Sequence, residues 1–212
     1  MQVTRLAHYF TNNEDLKSEI KKLTYKFNDN TLTFFSDNGV FSKSKIDFGS
    51  ISLVETFLKS QNKSINTILD VGCGYGFMGI TISKILKCHV DMIDINKRAL
   101  HLANKNIINN EVDAEAFLSN IYENVTNKYD VIITNPPIRA GKQVVLEILE
   151  KAKDYLNEDG ELWFVIRKDQ GAKSIAKLLE NSYFCEEVCK NKGFYIFKAK
   201  KRWHKKVTML KL

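Results

Sequence analysis

From residue 65 onward, short apolar runs bounded by turn residues alternate with segments of helical periodicity. Parallel neighbouring strands need a crossover connection, which is usually a helix, so this alternation favours a parallel sheet with helices on both faces. The last two runs flank Asn191-Lys192-Gly193, which is typical of a hairpin and predicts an antiparallel edge. We therefore predict an α/β fold with a Rossmann-like, doubly wound, mostly parallel seven-stranded sheet closed by an antiparallel edge hairpin. The predicted strands cover residues 66–71, 90–93, 114–118, 129–134, 161–166, 184–189 and 194–200, and the predicted helices cover residues 51–58, 78–86, 97–109, 143–156 and 171–181.

The first 50 residues have a different pattern. Two alternating segments, 22–27 and 31–35, flank Asn28-Asp29-Asn30, which predicts a β-hairpin with a three-residue loop. We divide the chain into a small N-terminal β-hairpin extension (1–50), one sheet-forming domain (51–200) and a basic tail (201–212). Only the tail after Lys200 is expected to be loosely attached.

Composition places few limits on the partner. The chain has 212 residues, of which 44% are hydrophobic and 27% charged, as in an ordinary globular protein. No apolar stretch approaches the roughly 20 residues that span a bilayer, and the N-terminus has no signal-peptide core, so we expect a cytoplasmic protein. The net charge of +7 suits a polyanionic partner such as RNA and equally suits a solvated, lysine-rich surface.

Four cysteines are present, Cys73, Cys88, Cys185 and Cys189. They form no Cys-x-x-Cys pair and no spacing suited to zinc. We expect reduced thiols and no bound metal.

A glycine-rich turn, Asp70-x-Gly72-x-Gly74-x-Gly76, follows one predicted strand and precedes a helix. Glycines let the backbone turn sharply and approach a ligand closely. A dinucleotide site requires Gly-x-Gly-x-x-Gly, which fails from Gly72 but succeeds from Gly74 through Gly79, so spacing alone leaves that alternative open. A turn that only packs the helix on the strand is a further alternative.

The acid before the first glycine favours another cofactor. Asp-x-Gly-x-Gly-x-Gly is the turn found in S-adenosylmethionine enzymes, and Asp70 is a natural acceptor for that cofactor's cationic amino group. Asp94 ends the next strand and can accept both ribose hydroxyls of an adenosine, which either cofactor contains. Ser119 and Asn120 follow the third strand, where an adenine edge would lie or where a plain polar turn would suffice. We expect no nucleophilic role for Cys73, because no histidine is paired with it in the sequence.

A rigid turn, Asn135-Pro136-Pro137, ends the strand at 129–134. The Asn135 side-chain oxygen and the Pro136 carbonyl can each accept one N–H of a planar amino group and align its lone pair with a methyl donor. The sequence therefore predicts methyl transfer to nitrogen, with a helix-entry turn without chemistry as the alternative.

At this point the chain resembles class I S-adenosylmethionine-dependent methyltransferases, and within them the RsmC-like ribosomal RNA small-subunit guanine-N2 methyltransferases. Three segments carry the resemblance, which extends over roughly residues 8 to 200: residues 39–42 through 47–50, residues 69–76, and residues 135–141. It implies methylation of guanine N2 in small-subunit ribosomal RNA, with cofactor contacts at Asp70, Gly72, Asp94 and Asn135. The chain departs from relatives in two ways. Ile138 stands where many amino-methyltransferases have an aromatic residue, and there is no room for the second methyltransferase-like domain of longer relatives.

An RNA base must be flipped out, or be single-stranded, to reach a buried donor. Because Ile138 gives only apolar contact, the stacking candidates are Phe34, Phe35, Phe41 and Phe48, with Phe41 the best and at least half of them core residues. Arg139 can contact phosphate or the guanine edge, or be a solvated arginine. The basic stretch 198–206 suits a phosphate backbone.

Three other functions stay open. Protein glutamine N5-methylation uses the same Asn-Pro-Pro chemistry, because a side-chain amide is also a planar, weak nucleophile. DNA adenine methylation is disfavoured because no extra segment is available for reading a sequence. A non-enzymatic RNA-binding module is disfavoured because both loops are intact.

Overall fold

The computed structural model describes residues 16–62 and 64–202, and its centre is one seven-stranded mixed sheet. In chain order the strands are β1 (Lys21–Phe27), β2 (Asn30–Ser36), β3 (Thr67–Val71), β4 (His89–Asp94), β5 (Ala114–Leu118), β6 (Tyr129–Thr134), β7 (Leu156–Arg167), β8 (Tyr183–Asn191) and β9 (Phe194–Lys201). The sheet order is β5-β4-β3-β6-β7-β9-β8. The first five strands in this order are parallel, and β9 pairs antiparallel with β7 and β8. The predicted architecture is confirmed.

Helices cover both faces of this sheet. They are α1 (Phe48–Ser60), α2 (Phe77–Leu86), α3 (Lys97–Asn110), α4 (Lys142–Tyr155) and α5 (Ala172–Leu179). The first three contribute to one buried cluster and the last two to another. Strand β7 shows why its sequence is a continuous apolar run: Trp163 and Val165 lie in the first cluster, while Phe164 lies in the second. Among the described helices, none is long and apolar enough to cross a membrane.

The N-terminal hairpin β1–β2 packs on the first cluster, to which Tyr25 and Phe34 contribute. The predicted three-residue loop is wrong. Phe27 pairs with Asn30, so the loop has two residues, and Asn28 reaches this tight turn with a φ of 49°. Asn30, the third residue of the predicted loop, is therefore the first residue of β2.

The free edge of β2 is covered by two asparagine side chains of α3. The Asn106 amide accepts from Phe35 N–H (2.7 Å) and donates to the Phe35 carbonyl (2.9 Å), and Asn110 forms the same pair with Thr33 (3.0 and 2.8 Å). These amides replace a neighbouring strand, so the edge is protected from pairing with another chain. Asn106 also donates to the Tyr75 carbonyl (2.8 Å), which joins the hairpin to the glycine-rich turn.

Several predicted boundaries need correction. Helix α1 begins at Phe48 rather than residue 51, because the Asp47 carboxylate accepts the Ser50 N–H at 2.9 Å and caps it. Strand β7 begins at Leu156, not 161, because Leu156 pairs with Tyr129 before an irregular register shift to Glu161. The other predicted ends either coincide with the observed ends or differ by one or two residues, as the bounds above show.

The chain is also held further into the tail than expected. Lys201 belongs to β9 and donates to the Leu156 carbonyl, and the Arg202 guanidinium donates to the Tyr183 carbonyl at 2.9 Å. Residues 203–212, which complete the predicted tail, lie outside the described residues, and the division into three parts stays a proposal.

Candidate active site

Four parallel strands, β3 to β6, end at one edge of the sheet, and the predicted cofactor and catalytic residues lie at these strand ends or just after them. Strand β3 lies between β4 and β6. The Thr134 hydroxyl donates to the Val71 carbonyl at 2.8 Å, across the ends of β6 and β3. This bond fixes the Asn135 turn beside Gly72. Thr134 was not predicted to have a role at the site.

The glycine-rich turn is anchored to β4. The backbone N–H groups of Gly72 and Cys73 donate to the Ile93 carbonyl at 2.9 and 3.0 Å. Gly72 and Gly74 have φ values of 74° and 58°, and a Cβ atom on either would meet no atom within 4 Å. Gly76, the residue directly before α2, has a φ of 90°. The turn therefore leaves open space beside its backbone at the edge of the sheet.

Asp70 is completely buried beneath this turn. Its Oδ2 accepts the Gly79 N–H at 2.9 Å, and its Oδ1 has no hydrogen-bond partner among the described residues. Burial raises the pKa of the carboxyl to about 7; the bond from Gly79 opposes the shift and the nearby Asp94 adds to it. A buried carboxylate with an unpartnered oxygen suits a cationic ligand group.

Asp94 lies across the turn from Asp70. Its two oxygens accept the backbone N–H groups of Gly74 and Asn96, both at 2.8 Å. Burial raises the pKa of the carboxyl, although both bonds oppose that shift. Beside it, the apolar side chains of Ile95 and Leu118 are 39% and 42% exposed. Sequence reasoning missed this apolar pair, whose signal is an Ile directly after the strand-ending acid.

Ser119 and Asn120 lie next to this corner, with Ser119 N–H donating to the Asp94 carbonyl at 3.1 Å. The Ser119 hydroxyl is buried within its own turn, between the Ile121 carbonyl and Asn124 N–H, both at 3.2 Å. The exposed Asn120 amide donates to Glu123 at 3.0 Å. Both side chains therefore shape this turn in the structure.

The Asn135 side chain is fixed by the start of α1. Its Nδ2 donates to the Asp47 carboxylate at 3.0 Å and to the Ser50 hydroxyl at 2.9 Å. A carboxylate only accepts hydrogen bonds, so the amide nitrogen must face Asp47 and the amide oxygen must face away. Among the described residues, no donor is bonded to that oxygen. The geometry thus presents an acceptor oxygen that is oriented from behind.

Asp47 and Ser50 are functional candidates that the sequence analysis did not single out. Their local signal is that of a helix N-cap, because an acid precedes a serine by three residues before an apolar run. The contact to residue 135 crosses 88 positions of the chain, which no local pattern indicates.

The four aromatic stacking candidates differ in how far their side chains are buried. Phe34 is fully buried and packs against Phe77, so it is a core residue. Phe35 is half-buried beneath the Lys105 ammonium (4.2 Å to the ring centre), and Phe48 is half-buried against Phe194 (5.7 Å between ring centres). Phe41 is 55% exposed. Of the four, Phe41 presents the most open ring.

The residues after the Asn-Pro-Pro turn form a short 3-10 turn, Ile138–Ala140. Ile138 is half-buried against the cluster under α4, whereas Arg139 is exposed. Cys73 is buried, and burial together with the charges of Asp94 and Asp70 raises the pKa of its thiol. A raised pKa favours the protonated thiol, which is a poor nucleophile; the absence of a nucleophilic role for Cys73 stays a prediction.

Comparison with known proteins identifies the family. Residues 31–198 match the methyltransferase small domain family. The chain belongs to this family. It is an S-adenosylmethionine-dependent methyltransferase, so the dinucleotide and non-enzymatic alternatives are wrong.

Two relatives illustrate the similarity of this methyltransferase to curated proteins. It is 41% identical over 201 residues to "Uncharacterized protein YbxB" of Bacillus subtilis (strain 168), covering 92% of this chain and 98% of that protein. It is 36% identical over 139 residues to "Ribosomal RNA small subunit methyltransferase C" of Haemophilus influenzae (strain 86-028NP), covering 63% of this chain. The match spans 41% of that longer relative's length.

A solved structure supports the fold. The T. thermophilus 16S rRNA N2 G1207 methyltransferase (RsmC), in complex with AdoMet and guanosine, matches with a TM-score of 0.77 at 22% identity. The match covers 88% of this methyltransferase and 52% of that chain. The shared fold agrees with a Rossmann-like sheet of the kind described above.

Proposed function

We propose that this methyltransferase transfers a methyl group to the exocyclic N2 amine of a guanine in small-subunit ribosomal RNA. The observation that carries the proposal is the orientation of Asn135, whose amide oxygen is directed away from Asp47 and holds no donor among the described residues. The names of two similar proteins, a ribosomal RNA small-subunit methyltransferase and a 16S rRNA N2 G1207 methyltransferase, support the choice of substrate. The net charge of +7 favours a polyanion of this kind.

The residues around the glycine-rich turn fit S-adenosylmethionine. Asp70 Oδ1 is a buried acceptor without a partner, and the open space beside Gly72 and Gly74 would be filled by a side chain at either position. We assign the cofactor's ammonium group to Asp70 and its ribose hydroxyls to Asp94. The exposed apolar side chains of Ile95 and Leu118 are suited to the adenine ring.

When bound, S-adenosylmethionine supplies an electrophilic methyl group on a sulfonium. The protein's task is to orient a poor nucleophile, since the lone pair of an exocyclic guanine amine is delocalised into the ring. Asn135 Oδ1 and the Pro136 carbonyl each accept one N–H, which favours a tetrahedral nitrogen and stabilises the positive charge that develops on it. Asp47 and Ser50 hold the Asn135 amide so that the acceptor is in place before the substrate arrives.

The base itself needs contacts on its faces and edge. The exposed Phe41 ring is the stacking residue we favour, with Ile138 as an apolar contact on the catalytic turn. Arg139, exposed directly after that turn, is assigned to the guanine edge or an adjacent phosphate. We assign Ser119 and Asn120 to the region that borders the adenine ring. Their side chains form hydrogen bonds within their own turn, so it is the turn that we expect to border the ring.

The experiment is methyl transfer from labelled cofactor to unmethylated small-subunit ribosomal RNA, followed by mass spectrometry of the digested RNA. We expect one new N2-methylguanosine, and no product with Asn135→Ala, which keeps cofactor affinity within about threefold. Parallel reactions contain DNA and a protein substrate with an exposed glutamine. A product on glutamine or on adenine, with none on guanine, would overturn the proposal.

A further inference from the structure

A cationic surface lies on the tip of the β8–β9 hairpin, next to the start of α1. Lys192 is in the two-residue loop of this hairpin, and its ammonium lies 4.9 Å from the centre of the Phe48 ring. Phe48 is the first residue of α1 and directly follows Asp47, which holds Asn135. The Lys192 side chain is thus one residue removed from the network that orients the proposed acceptor.

A second cation flanks the same surface. Arg167 ends β7 and pairs with Phe194 across the sheet, with its guanidinium carbon 5.5 Å from the centre of that ring. The Phe194 and Phe48 rings are themselves 5.7 Å apart. We call Phe48, Arg167, Lys192 and Phe194 the hairpin-tip cluster; it consists of two joined rings, each with one cation over it.

This surface is held rigidly against the site. The Lys168 N–H donates to the Gly193 carbonyl at 2.8 Å, which ties the end of β7 to the hairpin loop. A Cβ atom on Gly49 would lie 2.7 Å from the Phe194 ring, so the ring packs directly on the backbone of α1. The backbone that carries both cations is therefore fixed relative to the start of α1.

The charges on this surface are available to a ligand. Among the described residues, no carboxylate lies within ion-pair distance of Lys192. Arg167 bonds Asp169 at 3.0 Å, but both side chains are about half exposed or more (49% and 64%), so that pair contributes little and can be exchanged for a phosphate. By contrast, Lys198 and Lys200, further along β9, are paired with Glu186 and Glu161.

We propose that Lys192 and Arg167 bind RNA phosphates beside the target nucleotide and so position the strand for entry of its base. This inference rests on the proposed function, which it extends by naming the surface that holds the RNA. Phosphate contacts fix the register of a nucleic acid while base contacts specify it, so this surface acts on RNA affinity and not on the chemical step. A cation stacked on a ring loses little freedom when it binds a phosphate.

The sharpest variant is Lys192→Gly. Lys192 has a φ of 45°, a left-handed conformation that glycine adopts without strain, so removing the side chain leaves the hairpin stable. Arg167→Ala is the second variant, and Lys192→Arg retains the charge. The matched control is Lys190→Ala. Lys190 is on the same hairpin and also lies over a ring, that of Tyr195, but Tyr195 belongs to the buried cluster on the other face of the sheet.

The measurements are RNA affinity at several salt concentrations, cofactor affinity, and kcat and KM for RNA. We expect Lys192→Gly and Arg167→Ala each to weaken RNA binding about threefold to tenfold, and each to reduce the slope of log affinity against log salt by about 0.7. Lys192→Arg and Lys190→Ala should match the wild type, with cofactor affinity and kcat unchanged throughout.

Two failures are distinguishable. If the wild type methylates ribosomal RNA but Lys192→Gly and Lys190→Ala have equal RNA affinity and salt slopes, the hairpin-tip cluster does not bind RNA and only this inference is overturned. If the wild type methylates a protein and no RNA, the proposed function and this inference both fail.

Discussion

The Asp47 carboxylate and the Asn135 amide nitrogen are 3.0 Å apart, which sets the direction of the amide across the catalytic turn. Asp47 has two tasks, because the same Oδ2 atom also caps α1 through the Ser50 N–H at 2.9 Å. The start of the helix and the orientation of the proposed acceptor thus depend on one carboxylate, which couples the fold to the chemistry.

Replacing Asp47 by serine separates those two tasks. Serine is also a favourable N-cap, so Asp47→Ser should keep the melting temperature close to the wild type. The shorter hydroxyl does not force the Asn135 amide into one orientation, so kcat should fall about tenfold to a hundredfold. Steady-state kinetics and calorimetric cofactor titration check this, with cofactor affinity unchanged. An unaltered kcat would show that Asp47 serves only the helix.

Asp70 predicts a pH dependence of cofactor binding. Its carboxyl has a pKa of about 7 in the free protein, raised chiefly by burial, and a cationic ligand group binds the ionised form. Affinity should therefore increase from pH 5.5 through about pH 7 and level off above about pH 8. Asp70→Asn should bind weakly at every pH in this range. Wild-type affinity that is constant across this range would contradict the assignment of Asp70 to the ammonium group.

The same shift predicts an effect of Asp70→Asn on stability. The folded-state pKa lies above the usual value near 3.8, so the native state binds the proton more tightly and the ionised side chain destabilises it as pH rises from 4 to 7. Without its cofactor, Asp70→Asn should melt at a higher temperature than the wild type at pH 8 and close to it at pH 4. Calorimetry that finds an equal difference at both values would refute this.

Replacing Gly74 by alanine should weaken cofactor binding without causing a clash inside the protein. Gly74→Ala places a methyl group in space that is open in the structure, at a φ of 58°. We expect a stability loss of about 1 kcal/mol from the left-handed backbone and roughly tenfold weaker cofactor binding. Gly171→Ala is the control, because Gly171 has a similar φ of 83° and similarly open surroundings but directly precedes α5, on a different loop. Equal cofactor affinities of the two variants would contradict the placement of the cofactor beside Gly74.

His89 begins β4, at the opposite end of that strand from Asp94, and replacing it should change stability but not activity. His89 contacts Asp113 at 2.8 Å and Asp91 at 3.0 Å, and the hydrogen bond to Asp113 is the main cause of its raised pKa. Its charged form stabilises the fold below about pH 6.5, and this contribution is lost as pH rises through the higher folded-state pKa. His89→Gln should lower the melting temperature more at pH 5.5 than at pH 9, with kcat unchanged. Equal losses at both values would disprove the linkage.

Local patterns were sufficient for the elements and for the two loops that follow β3 and β6. Alternation of strands and helices predicted the parallel sheet, and Asp70, Gly72 and Asn135 are at the edge where the ends of β3 and β6 lie side by side. The errors were local too: a third polar residue in the first hairpin loop turned out to begin β2, and an acid before a helix turned out to cap it.

The contacts that orient the site were beyond such patterns. Thr134 reaches Val71 across 63 residues, and Asn106 reaches Tyr75 across 31, because the sheet and α3 bring these segments together only in the folded chain. Polar side chains of this kind look like ordinary surface residues in a sequence. Only their burial and partners in three dimensions reveal that they hold the glycine-rich turn and the Asn-Pro-Pro turn in place.

A crystal structure with S-adenosylmethionine and guanosine would show whether Asn135 orients the base. We expect guanine N2 to donate to Asn135 Oδ1 and to the Pro136 carbonyl at about 2.7–3.2 Å, with the sulfonium methyl on the opposite side of the nitrogen. We also expect that Asn135 Nδ2 still donates to Asp47. A methyl carbon directed away from residue 135, or an Asn135 amide that turns its nitrogen toward the base, would contradict this arrangement.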